Sequence, residues 1–209
     1  MDDNKKVLDT LKPLFDEVEY FDKNVQNYGL LHPDDYLRAI SFLKSYNGSL
    51  GTFNSYRREI ERFYQWSWLI AEKSIKELKR DHIENYIRFC QNPPKSWIGL
   101  KKVPRFIEVE GKRVPNSAWR PFVVTVSKAE YRKGKKSNIN RFELTSSSIK
   151  QMLAILGSFY NYLLQEEYVL RSSDNNASRR FFMFFNNHCY KKYTRKIQMK
   201  VNNIIVREF

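Results

Sequence analysis

Residues 50–68 constrain the fold of this chain more than any other stretch. They read Leu-Gly-Thr-Phe-Asn-Ser-Tyr-Arg-Arg-Glu-Ile-Glu-Arg-Phe-Tyr-Gln-Trp-Ser-Trp, with apolar residues recurring every three or four positions. That period predicts one amphipathic helix. Thr52, just after Gly51, offers a side-chain oxygen to an orphan N–H of the first turn and is the expected N-cap. A helix begun there aligns Tyr56, Ile60, Phe63 and Ile70 in one stripe, with Tyr64 and Trp66 at its edges. Such a stripe needs a covering partner. Asn54, Arg57, Arg58, Glu61 and Gln65 fall on or near the opposite side, and the first four are spaced to share an exposed basic face.

Further helices follow from the same kind of spacing. Residues 36–46 read as an apolar helix with Leu37, Ile40 and Leu43 or Phe42 on its buried edge, capped by Asp34 or Asp35 and ended by Asn47-Gly48-Ser49. Asp81 is placed to cap a third helix running through Phe89, whose inner stripe is Ile83, Tyr86, Ile87 and Cys90; Pro93-Pro94 stops it. A fourth, capped by Thr145 or Ser146, carries Ile149, Leu153, Leu156, Tyr160 and Leu163 on one side. Ahead of them, residues 1–32 form an N-terminal arm or short helix for packing against a partner. Leu8, Leu11, Phe15 and Val18 have helical spacing, although Pro13 falls among them.

Charge separates the chain into parts. The formal net charge is +14, which points to an anionic partner. Residues 1–94 carry 14 basic and 15 acidic side chains, 95–141 carry 13 and 3, 142–170 carry 1 and 3, and 171–209 carry 9 and 2. The helical body is therefore close to neutral, and the excess lies in residues 95–141 and in the tail. A groove-lining loop concentrates charge in this way. Within 95–141, Phe106-Ile-Glu-Val-Glu-Gly-Lys-Arg-Val114 reads as a small hairpin around a glycine turn. Trp119-Arg120-Pro121-Phe122 precedes a strand-like run, Val123-Val-Thr-Val126, and Lys133-Gly-Lys-Lys136 is a basic turn. A hairpin with positive flanks is suited to following a phosphate backbone.

Thr52-x-x-x-Tyr56-Arg57-x-x-Ile60-x-x-Phe63-x-x-Trp66, with an apolar helix and a Gly/Ser turn before it, resembles the amino-terminal core-binding domain of tyrosine recombinases, the phage-integrase family. Ile75-Lys-Glu-Leu78, Asp81 and Ile83-Glu-Asn-Tyr-Ile87 resemble that domain's next helix, and the run from Ser146 to Leu163 resembles its last. The Trp119-Arg120-Pro121-Phe122 element resembles an insert found in some integrases of mobile elements. The resemblance implies a mainly α fold over residues 33–170, a four-helix SAM-like core-binding bundle with a basic hairpin-containing insert at 95–141, between its third and fourth helices. It implies sequence-directed binding of duplex DNA in DNA integration and recombination, with copies of the chain assembling as a homo-oligomer on DNA, inside a bacterial cell at the nucleoid. It sets the starts of the helices at Thr52 and Thr145 against the major groove, where a helix N-terminus is itself a phosphate site. With the basic positions of the insert, the expected DNA-binding set is Thr52, Asn54, Arg57, Arg58, Lys101, Lys102, Arg105, Lys112, Arg113, Arg120, Ser147 and Lys150.

Past residue 170 the likeness ends. Residues 171–209 form a basic tail rich in aromatics and Asn, read either as a truncated or frameshifted linker or as an irregular basic extension. The family cuts DNA with a tyrosine assisted by cationic side chains, among them a His-x-x-Arg pair. Here His32, His82 and His188 are followed three places on by Asp35, Asn85 and Lys191, so that centre is missing, and Tyr190 and Tyr193 in the tail are poor nucleophile candidates. No phosphate-binding glycine loop, nucleophile elbow or His-Glu-x-x-His pair occurs. No enzyme activity, metal, cofactor or small-molecule substrate is expected. The cysteines, Cys90 and Cys189, make no Cys-x-x-Cys pair, and the sequence shows no signal peptide or long apolar run, which places the chain in the cytoplasm and off the membrane. The competing reading is a helical interaction or regulatory protein that binds a partner protein or RNA, with Trp97 or Trp119 exposed for stacking on single-stranded bases.

Overall fold

The structure, a computed structural model, describes residues 11–21, 32–124, 126, 128–134 and 136–166. Leu8, Cys189, His188, Tyr190, Tyr193 and the 171–209 tail lie outside these. In chain order the elements are α1 (Pro33–Lys44), α2 (Leu50–Leu69), α3 (Arg80–Gln91), β1 (Ile98–Gly99), β2 (Phe106–Val109), β3 (Lys112–Pro115), β4 (Phe122–Val123), a single-turn α4 (Lys128–Arg132) and α5 (Ser146–Gln165). The described chain is mainly helical, with a small amount of sheet. It divides into two compact units. One is Met1–Glu77 with Arg88–Glu143 and the other is Leu78–Ile87 with Leu144–Phe209. The break between units falls inside α3.

In the first unit α2 is the centre. Its first turn closes at Ser49, whose carbonyl accepts from Phe53 N at 2.8 Å. Thr52 is therefore not the N-cap; it sits in the first turn, with Oγ1 2.9 Å from Ser49 Oγ. Phe53, Ile60, Phe63, Tyr64, Trp66 and Trp68 are buried, and so are Arg57, Glu59, Glu61 and Gln65. The exposed face expected for Asn54, Arg57, Arg58 and Glu61 does not exist as such, because α2 is covered on several sides. Ile70, assigned to the apolar stripe, follows the last turn and is 49% exposed.

One cover is the N-terminal arm. Residues 11–17 carry no helix, and only Val18–Tyr20 makes a short 3-10 turn, so the helical spacing of Leu11, Phe15 and Val18 misled. Pro13 lacks an N–H and breaks a helix there. The extended strap instead offers its backbone to α2. Leu14 N and Phe15 N donate to Glu61 Oε1 at 2.6 and 3.2 Å, and Lys12 O accepts from Gln65 Nε2 at 2.7 Å. Phe15 stacks on Tyr36, with ring centroids 5.3 Å apart, and meets Tyr64 edge-on. The arm thus packs against its own chain.

α1 begins with Pro33 in its first turn, after His32 at the cap position. Neither Asp34 nor Asp35 caps it. Asp35 is buried and ties α1 to the end of α2, accepting from Trp68 Nε1 at 3.2 Å, Ser74 Oγ at 2.9 Å and Ile75 N at 3.0 Å. The buried edge of α1 is Tyr36, Ala39, Ile40, Phe42 and Leu43, whereas Leu37 faces outward. The α1–α2 turn is closed by stacked tyrosines, Tyr46 on Tyr56, with centroids 4.3 Å apart.

Residues 95–141 build the other cover. β2 and β3 pair antiparallel, Phe106 with Pro115 through Val109 with Lys112. Glu110 and Gly111 between them have φ of +52° and +72°, the left-handed pair that a two-residue hairpin turn requires. Of the Val123-Val-Thr-Val126 run, Val123 is in strand, with Phe122 before it, paired parallel with Ile98–Gly99; Thr125 lies outside the described residues. Phe122 is fully buried beneath the Arg62 guanidinium, which lies 4.5 Å from its ring and donates to Pro121 O at 2.8 Å. Phe89, Trp97 and Phe142 complete this aromatic cluster.

In the second unit, α5 is capped by Thr145, whose hydroxyl accepts from Ser148 N at 3.2 Å. Ile149, Leu153, Leu156, Tyr160 and Leu163 are buried along it, joined by Met152, Ile155 and Phe159. The α3 residues Ile83, Tyr86 and Ile87 are also buried. Asp81 lies inside the first turn of α3 rather than before it, and the neighbouring His82 ring accepts from Lys79 N at 2.8 Å. Among the described residues no helix is long and apolar enough to cross a membrane.

Candidate nucleic-acid interface

The arginines expected at the interface are largely turned inward. Arg57 Nη1 donates to Asp16 O at 2.8 Å and Nη2 to Asn54 Oδ1 at 2.6 Å, so Asn54 is engaged as well. Burial, and next the neighbouring charge of Arg105, lower the Arg57 guanidinium to about 10. Arg105 pairs with the wholly buried Glu61 and lies 4.9 Å above the Trp119 ring. Arg113 grips both carboxylate oxygens of Asp16, at 2.6 and 2.7 Å, and covers the Tyr20 ring at 4.3 Å. Its hydrogen bond to Asp16 raises Arg113 above the ordinary arginine value. Arg120 bends back onto the carbonyls of Ser117 and Trp119. Arg58 is bonded to Glu59 at 2.7 Å but keeps 42% of its side chain exposed.

The lysines behave differently. Lys101 and Lys102, in the loop between β1 and β2, are exposed, as are Lys95, Lys112, Arg132, Lys133, Lys136 and Arg141. Arginine's planar fork suits fixed internal pairing, and the strongly hydrated ammonium of lysine stays in water. The hairpin is a poor phosphate track, since beside Lys112 it exposes Glu108 and Glu110 while Arg113 is spent on Asp16. The loops on either side of it carry the free cations. Thr52 is half-buried in the first turn of α2. Ser147 is exposed and Lys150 half-buried on α5, in the other unit.

Trp97 and Trp119, assigned to base stacking in the single-strand alternative, are 5% and 7% exposed and belong to the core. Among the described residues no cluster of His, Cys, Asp and Glu is arranged to hold a metal.

Sequence reasoning missed Asp16 and Arg62 and set Glu61 on an exposed face; these three fix the strap and residues 95–141 to α2. A signal existed. Tyr64 follows Arg57 by seven residues and Trp68 follows Glu61 by seven, so each charge shares a helix face with a large ring. No known protein family, curated protein or solved structure matches the chain.

Proposed function

We propose that the chain binds duplex DNA through the basic segment 95–141, as a SAM-like core-binding module of the tyrosine-recombinase kind in which that segment is the insert. One observation carries the reading: the arginines of 95–141 that are bonded inward leave Lys101, Lys102, Lys133, Lys136 and Arg141 exposed and available for phosphates. Point charges on loops suit a sequence-independent backbone grip, with most of the affinity coming from released counterions. Burial of the tryptophans supports a double-stranded ligand over a stacked single strand. No strand-cleaving chemistry is assigned to this chain.

The test is titration of the full chain into a labelled mixed-sequence duplex at rising salt, beside the same strand unpaired. Duplex preference with a steep salt slope, made shallower by about 2 in Lys101→Ala/Lys102→Ala, supports the reading. Binding without salt dependence defeats it.

A second reading rests on the outer face of the hairpin. Ile107 and Val109 are 38% and 47% exposed there, an apolar pair more in keeping with a protein partner than with phosphate.

A further inference from the structure

Asp16 stands where the strap meets the arginines. Its carboxylate takes two N–H groups of Arg113 and its carbonyl takes one from Arg57. Arg105, on Glu61, is close enough to Arg57 for the like charges to oppose each other. One residue of the strap therefore joins guanidinium groups from α2 and from β3. Oxygen acceptors set between such forks are also how a phosphodiester is held. The strap adds Glu17 and Glu19, both exposed, beside Asp16, so an acidic peptide lies on a basic floor.

That floor has capacity left. Arg57 is only 8% exposed, and its Nε has no hydrogen-bond partner. A carboxylate and a phosphodiester each bring two charged oxygens, those of the phosphodiester spread tetrahedrally about phosphorus.

We propose that Asp16 is an internal substitute for a nucleic-acid phosphate: Arg57 and Arg113 form a phosphodiester site that the strap fills in the free protein and vacates on DNA. The proposal rests on the duplex-binding reading above and assigns the inward-facing arginines a role in it. A plug of this kind lowers apparent affinity by the fraction of molecules in which the site is closed.

Asp16→Asn keeps the shape of the plug and removes its charge. Measured against a mixed-sequence duplex in the full chain, D16N binds more tightly than wild type, by up to about tenfold, and its salt slope steepens by about 0.9 for one added phosphate contact. Adding Arg113→Gln cancels the gain. A folded D16N with unchanged affinity and slope overturns the plug, and leaves the lysine-loop reading standing if Lys101→Ala/Lys102→Ala still flattens the slope. Failure of both wild type and D16N to bind removes both. A second measurement needs no variant: Leu14 and Phe15 amides, held by Glu61, exchange faster in wild type once duplex saturates it. Undiminished protection on DNA overturns the proposal.

Discussion

Glu61 and Arg105 form an ion pair across 44 residues of sequence, and the carboxylate of that pair has no solvent exposure at all. Its other oxygen holds the strap through Leu14 N and Phe15 N. One acid on α2 thus fastens the N-terminal arm and the 95–141 segment at once. A charge so buried is tolerable only while its partners stay in place.

Removal of one member should therefore be severe. Glu61→Ala is expected to cost about 3–5 kcal/mol of folding stability, the usual loss when a buried charge keeps no partner. Urea unfolding of wild type, Glu61→Ala, Arg105→Ala and the double variant measures it, and the cycle gives the coupling. A loss under about 1 kcal/mol, the size of an exposed pair, would show that water reaches the site.

Arg57 and Lys101 should differ in what they cost the fold. Arg57→Ala strips Asp16 O and Asn54 Oδ1 of a charged donor and is expected to destabilise by about 1–3 kcal/mol. Lys101→Ala/Lys102→Ala, at exposed loop positions, should stay within about 0.5 kcal/mol of wild type while flattening the salt dependence of duplex binding. Equal urea midpoints for Arg57→Ala and wild type contradict the first half; an unchanged salt slope contradicts the second.

Much of this architecture was legible because local periodicity and local packing agree in α3 and α5. Ile83, Tyr86, Ile87 and Cys90, and the α5 stripe from Ile149 to Leu163, are buried as their spacing predicts. α2 misled for the opposite reason. A helix enclosed on several sides carries apolar residues around most of its circumference, and a search for a single stripe sends Arg57 and Glu61 to the wrong face. The strap was illegible because its hydrogen bonds to α2 run to side chains 40 or more residues away, for example 47 from Leu14 to Glu61, and no local pattern announces such partners. The interface split along the same line. Lys101, Lys102, Lys112, Lys133 and Lys136 followed the simple rule that ammonium groups stay hydrated, while Arg105 and Arg113 were claimed by Glu61 and Asp16, acids whose burial depends on the tertiary fold.

Tyr36 supplies a pH dependence. Burial, then the charges of Glu61 and Asp16, raise its phenol well above the ordinary value of 10.0. The folded protein keeps this group neutral while the unfolded chain ionises near pH 10, so its contribution is complete below pH 10 and declines as pH rises further. Above that pH, wild type should lose stability relative to Tyr36→Phe, at up to about 1.4 kcal/mol per pH unit for this one group. Urea midpoints of the two proteins at stepped alkaline pH decide it, and parallel curves would mean that the phenol is reached by solvent.

The tryptophans distinguish double-stranded from single-stranded ligands. Trp66, Trp68, Trp97 and Trp119, all those in the chain, are no more than 7% exposed. Acrylamide should quench their fluorescence weakly until the protein unfolds, and titration with single-stranded DNA should leave the emission maximum in place. Stacking on a tryptophan would contribute about 1–3 kcal/mol per base, so Trp119→Phe should weaken single-strand binding severalfold only if that ring leaves the core. With Arg105 lying over one face of Trp119, leaving the core would also break the arginine's contact and loosen its hold on Glu61. An emission shift on single strands, accompanied by loss of stability in Trp119→Phe, would therefore move the reading from a duplex grip on lysine loops to a single-strand binder that opens its core.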